Sequence, residues 1–253
     1  KRPLCSYRGE ILSRYPIEDI RAAYPIPLNV TYFCLPQGGI IDFTLETKLP
    51  EPGFICFSLT TGNGCKVYGT CMIYYYEIMD LQLKTEIMTS MDKDNIQPNV
   101  KYFCNQSLCI LSRFPMFRSY QLYLKKLYDL FISKQHCGYS YEKIVSHFIS
   151  SIPCMHINRS YIRYKFFQTN ISFELNSIDQ IYDKNEGSLI FLFEFLPIKS
   201  IVEIFFALLI ERKIMIHAYH PSLIMNISEA LINIIFPFSW QCPYIPLCPL
   251  QLC

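Results

Sequence analysis

The sequence predicts two lobes in succession: an α+β lobe built on an antiparallel sheet, then an α/β lobe that breaks off before completion. Three observations predict it. β-rich runs flank a Gly62-Asn63-Gly64 turn, two amphipathic helices follow, and past residue 186 a helix, a short apolar run and another helix succeed one another. A tight turn between β-rich runs joins antiparallel neighbours, whereas helix, continuous apolar strand, helix marks a parallel sheet covered by helices.

Each element has its own reason. "VTYFCLP" (30–36), "GIIDFTL" (39–45), "FICFSLTT" (54–61) and "KVYGTCMIYYY" (66–76) read as strands from their β-branched and aromatic residues. Residues 80–101 are polar and mixed in charge, the pattern of a surface loop. Strand character returns in "YFCNQSLCILS". Two helices follow, with apolar stripes at Tyr120, Tyr123, Leu124, Leu127, Leu130 and Phe131, then at Tyr141, Ile144, Val145, Phe148, Ile149 and Ile152. Ser140 is placed to start the second and Pro153 to end it.

"YIRYKFFQ" and "ISFELN" alternate and form a hairpin turning at Gln168-Thr169-Asn170, and residues 177–188 are a polar connector. "IKSIVEIFFALLIERK" is a helix with Ile198, Ile201, Val202, Phe205, Leu208 and Leu209 on its buried face. Arg212 and Lys213 stand at its C-terminus, where cations suit the helix dipole. "KIMIHA" is a buried strand, and "SLIMNISEALINIIF" a helix closed by Pro237; Pro237, Phe238 and Trp240 are assigned to packing.

Composition narrows the function classes. The chain has 253 residues, 51% hydrophobic and only 17% charged, enough apolar material for a sizeable core. A net charge of +2 gives no field that would favour nucleic acid. Twelve cysteines lie mostly inside apolar runs, Cys34, Cys56 and Cys71 among them, without a C-x-x-C pair. There they read as small hydrophobes of a reduced, cytosolic protein. N-x-[ST] sequons at Asn29, Asn105, Asn158, Asn170 and Asn226 read as chance products of composition. No run supplies the roughly 20 apolar residues of a membrane span. The chain opens on Lys1 and closes in an apolar segment, so it reads as a fragment.

Chemical motifs are lacking. "TGNGCKVYG" has glycines but not the spacing of a phosphate loop. "CGYSYE" lacks the second glycine of a nucleophile elbow. His217 and His220 do not share a helix face, so no metal pair is read. No cofactor, metal or catalytic residue is assigned.

Two near-identical hexapeptides, "ILSRYP" at 11–16 and "ILSRFP" at 110–115, have unrelated flanks, which argues against duplication. They resemble two separate landmarks of the DENN domain family. Four more follow the family's order: "YFCLPQGG", "FSLTTGNGCKVYGTCMIYYYE", "ALLIERKIMIHA" and "EALINIIFPFSWQCPYIPLCP". Details such as "KVYGTCMIYYYE" and "SYEKIVSHFISSIP" resemble the class-4, c-Myc promoter-binding-protein-like branch.

The resemblance implies a longin-like α+β lobe followed by a three-layer α/β DENN lobe. Residues 1–153 form the first, 154–185 a hairpin and connector, and 186–253 the first part of the second. A downstream DENN segment of its own chain is expected beyond Cys253. The implied activity is guanine-nucleotide exchange on a Rab small GTPase, bound GDP-loaded or nucleotide-free, in membrane trafficking with peripheral membrane association. The expected interface, near the lobe junction, is Phe117, Tyr120, Glu211, Arg212, His217 and Ser222. The alternatives are a scaffold that recruits a GTPase or membrane complex without exchange, and GTPase activation through an arginine such as Arg113 or Arg118.

Overall fold

A computed structural model describes residues 5–18, 26–27, 29–45, 48–60, 66–80, 100–132, 138–153, 161–174 and 188–252. Five strands make one antiparallel sheet: β1 (Cys5–Tyr7), β2 (Gly39–Thr44), β3 (Gly53–Thr60), β4 (Lys66–Glu77) and β5 (Lys101–Ser112). Their spatial order is β1-β2-β5-β4-β3, so β3, β4 and β5 form a meander and β2 closes on the free edge of β5. β4 and β5 are the spine, in register from Tyr68↔Ser112 to Glu77↔Phe103. The tip of the β3–β4 hairpin, most of the 80–101 loop and the 177–187 connector lie outside the described residues.

Side chains alternate across a strand, so each face collects its own partners. One face carries Ile55, Phe57 and Cys71 and packs on α1 (Val30–Cys34) through Val30 and Phe33, and on Leu247. The predicted strand at 30–36 is therefore a short helix. Val30 and Phe33, three residues apart, both point into this core, an arrangement a strand would not give. Phe57, fully buried, is paired across the ladder with Gly69, and its ring occupies the space that a Cβ there would need.

The opposite face carries Tyr68 and Tyr74, met by Phe117 and Tyr128 of α2 (Phe117–Ile132). Beyond α2 lie α3 (Tyr141–Ser151) and the hairpin β6 (Tyr161–Phe166)–β7 (Thr169–Glu174). These share one aromatic core of Tyr123, Phe148, Phe166 and Phe173, with Tyr123 stacked on Phe148 at 3.6 Å between centroids. Ser140 caps α3 as the sequence predicts, accepting from the Lys143 N–H. The hairpin turns at Phe167-Gln168, so Thr169 and Asn170 are strand residues.

Three helices follow: α4 (Ser188–Phe195), α5 (Ile198–Leu209) and α6 (Pro221–Asn233). They enclose a separate core of Leu192, Ile201, Leu208, Ile227, Ala230 and Leu231, with Trp240 against it. The buried stripe of α5 is Ile201, Ile204, Phe205 and Leu208. Three residues expected on it, Ile198, Val202 and Leu209, form an exposed stripe with Phe206 instead. So the apolar surface of α5 is wider than its buried face. Phe238, expected to pack, is 67% exposed.

The buried strand expected at "KIMIHA" is absent. Residues 212–218 have no regular structure, and Met215 is 92% exposed. A strand exists only when a neighbour takes up its N–H and C=O groups, and no described strand lies beside this run. The α+β first half is thus realised, while this second half is helical among the described residues.

Candidate functional site

The two halves meet over the β3–β4 hairpin. Phe117, first residue of α2, is buried in one cluster with Cys56 of β3 and Met225 of α6, with Tyr68 of β4 packed against it. The Tyr68 and Phe117 rings meet edge to face at 5.9 Å, a favoured aromatic geometry. Gln121 donates to the Cys56 sulfur at 3.4 Å.

Next to this apolar contact lies a polar one. Tyr244 donates to the Glu229 carboxylate at 2.7 Å, and the Lys66 ammonium lies over the Tyr244 ring, 5.1 Å from its centroid. Burial pushes the Glu229 carboxyl above the usual carboxylate range, with the Tyr244 hydrogen bond and the Lys66 charge opposing. Burial raises Tyr244 and Tyr68 as well, and the Glu229 charge adds to both. The chain then returns to the first half. Leu247 enters the α1 core, and the Leu250 N–H donates to the Pro36 oxygen at 3.0 Å.

An exposed segment leads from α5 into the junction. α5 ends in a Schellman turn: Glu211 N–H bonds the Leu208 oxygen and Arg212 N–H the Ala207 oxygen. The left-handed position of this turn, where glycine is usual, is held by Glu211 at φ 53°. Glu211, Arg212, Lys213 and His217 are all exposed, as is Tyr219 at 96%. Pro221 then starts α6. Ser222, Met225 and Glu229 recur at i, i+3, i+7, so one stripe of α6 runs from the end of the exposed segment into the junction.

The six expected interface residues therefore separate into groups. Phe117 is buried at the junction, and Ser222 is half-buried on the stripe that faces it. Glu211, Arg212 and His217 are displayed on the segment that leads there. Among the described residues neither Glu211 nor Arg212 makes an ion pair. Tyr120 belongs elsewhere: its ring packs 5.7 Å from Phe173 in the α2–α3–hairpin core, and its hydroxyl donates to Ser112. Sequence reasoning missed Lys66, Tyr68, Met225, Glu229 and Tyr244. A signal was present for two, since Glu229 opens "EALINIIF" and Tyr244 opens the "YIP" of the same landmark.

A second constellation lies under α1. The sulfurs of Cys34, Cys71 and Cys109 are all within 4.8 Å of one another. Cys109 and Cys71 donate to Cys34 and hold its thiol well below the usual range against the effect of burial. Burial raises Cys71, and sharing its proton with Cys34 raises Cys109. All three are free thiols.

A β-meander sheet flanked by helices, joined to a helical unit whose final segment folds back onto the sheet, defines a two-part α+β protein. Residues 9–74 match the uDENN domain, and residues 103–253 match the DENN (AEX-3) domain. The chain belongs to the DENN domain family, and all six landmark stretches overlap these two spans. It is also 22% identical over 245 residues to the DENN domain and WD repeat-containing protein SCD1 of Arabidopsis thaliana, an alignment covering 95% of this chain. The chain spans 20% of the length of that relative. Among the described residues no helix is long and apolar enough to cross a membrane.

Proposed function

We propose that this chain is a guanine-nucleotide exchange module for a Rab-type small GTPase, of the class-4, c-Myc promoter-binding-protein-like branch. It works in membrane trafficking, cytoplasmic and peripheral on vesicles or endomembranes. Its first lobe is longin-like and extends over residues 1–153, and residues 186–253 belong to a DENN lobe. The observation that carries this reading is the match to two DENN segments, both of which supply side chains to one packed junction: Cys56 and Tyr68 from the first, Phe117 and Met225 from the second.

Exchange needs no nucleophile or general base. A factor that binds the nucleotide-free GTPase better than the GDP-bound one must weaken GDP binding by the same ratio. The switch segments that close over nucleotide are order–disorder elements, and a partner that holds them open shifts that equilibrium. Each tenfold loss of GDP affinity takes about 1.4 kcal/mol of differential contact. Glu211 and Arg212 supply exposed charge for those contacts, and His217 an exposed imidazole. Ser222 lies where the segment enters the junction, and Phe117 and Tyr68 hold the sheet and α6 in fixed relation behind it.

The test is release of a fluorescent GDP analogue from a panel of Rab GTPases by the full-length protein. Acceleration with one or two of them supports exchange. Saturable binding without acceleration would replace it with a recruiting scaffold.

A further inference from the structure

We propose that Cys34, Cys71 and Cys109 form a three-sulfur site for a soft monovalent metal ion, Cu(I). The three sulfurs come from separate elements: Cys34 from α1, and Cys71 and Cys109 from directly paired positions of β4 and β5. Long-range packing holds them together, so the donor set is assembled by the fold.

The geometry suits one ion. Three sulfurs bound at about 2.3 Å sit about 4 Å apart. The observed spacing, within 4.8 Å, closes to this with sub-ångström movements. The chemistry chooses the ion. Thiolates select soft metals. Structural zinc takes four ligands, and no fourth His, Cys, Asp or Glu joins this group among the described residues. The surrounding core is largely apolar, with Phe33, Phe57 and Leu247 in it, and no carboxylate or imidazole joins the three sulfurs among the described residues. Cu(I) is satisfied by two or three sulfurs alone. Cys71 is buried and Cys34 and Cys109 are half-buried, all three against the core beneath α1. Each thiol that binds releases its proton to solvent, and copper stays Cu(I), so no electron is transferred.

The test is an anaerobic titration of the full chain against Cu(I) held by a coloured competing chelator, with circular dichroism to confirm the fold. The wild type is expected to withdraw one equivalent, with X-ray absorption showing sulfur ligands only. Cys34→Ala and Cys109→Ala should each weaken binding about tenfold or more. Cys104→Ala, outside the cluster, should leave it unchanged. A folded wild type that leaves all the copper with the chelator would overturn the proposal. So would alanine variants that bind as tightly as wild type, or a preference for Zn(II) over Cu(I).

Discussion

Glu211 and Gly69 show opposite uses of one residue's backbone. Glu211 holds a left-handed position that costs an L-residue roughly 1–2 kcal/mol relative to glycine. Glu211→Gly should therefore raise the melting temperature by about 2–4 °C. If the carboxylate touches the GTPase as proposed, the same variant slows GDP release, and a stabler chain with unchanged exchange would remove Glu211 from the interface. Gly69 is the reverse case. The Phe57 ring lies where its Cβ would go, so Gly69→Ala should destabilise by about 1–3 kcal/mol, measurable by denaturant unfolding. An unchanged midpoint would mean that Phe57 rotates away at no cost. Asn105 explains why a sequon can be a structural residue. Buried, it accepts from the Ile40 N–H at 2.8 Å and donates to the Gly38 oxygen at 3.2 Å, so it ties β2 to β5 and is closed to modification in this fold. The paired hexapeptides settle at the same level of detail. Leu12 of the first is 81% exposed on irregular chain, whereas Ile110 of the second lies within β5 and packs against the aromatic core.

Elements whose pattern is local were legible in the sequence. β4 and β5 have long apolar runs, α2 and α3 have clear helical stripes, and Ser140 has the right neighbours for a cap. Where the deciding contact is distant, the sequence reading failed. "VTYFC" has too few residues to show a period, and the core above β3 and β4 makes it a helix. "KIMIHA" has the composition of a strand but no described partner for its backbone. The thiol cluster joins residues from three separated elements, and the Glu229–Tyr244 pair spans a proline-rich stretch with no periodicity. That pair gives a pH-dependent prediction for the α6 junction. Burial raises the Glu229 carboxyl in the folded chain, so folding favours its protonated form. That contribution is complete below the unfolded value of about 4.3 and is lost as pH rises through the folded value. Glu229→Gln imitates the protonated group at every pH. It should melt about 2 °C above wild type at neutral pH, with the difference vanishing near pH 4. A wild type that melts higher at neutral pH would mean that Tyr244 and Lys66 outweigh burial.

Across the whole molecule, the sheet is gripped from both sides by the second half: Met225 of α6 on one face and Leu247 on the other. This clamp fixes the exposed 211–220 segment relative to the sheet, which a surface that holds switch segments open requires. The exposed apolar stripe of α5 belongs to the same half and makes it the stickier of the two in isolation. The exchange reading rests on linkage, so affinity is its natural measure. The measurement is binding of the full-length protein to the Rab-type GTPase proposed as its partner, in nucleotide-free and in GDP-saturated form. The account predicts tighter binding to the nucleotide-free form, by the same factor by which the protein weakens GDP binding. Equal affinity for the two forms would contradict it.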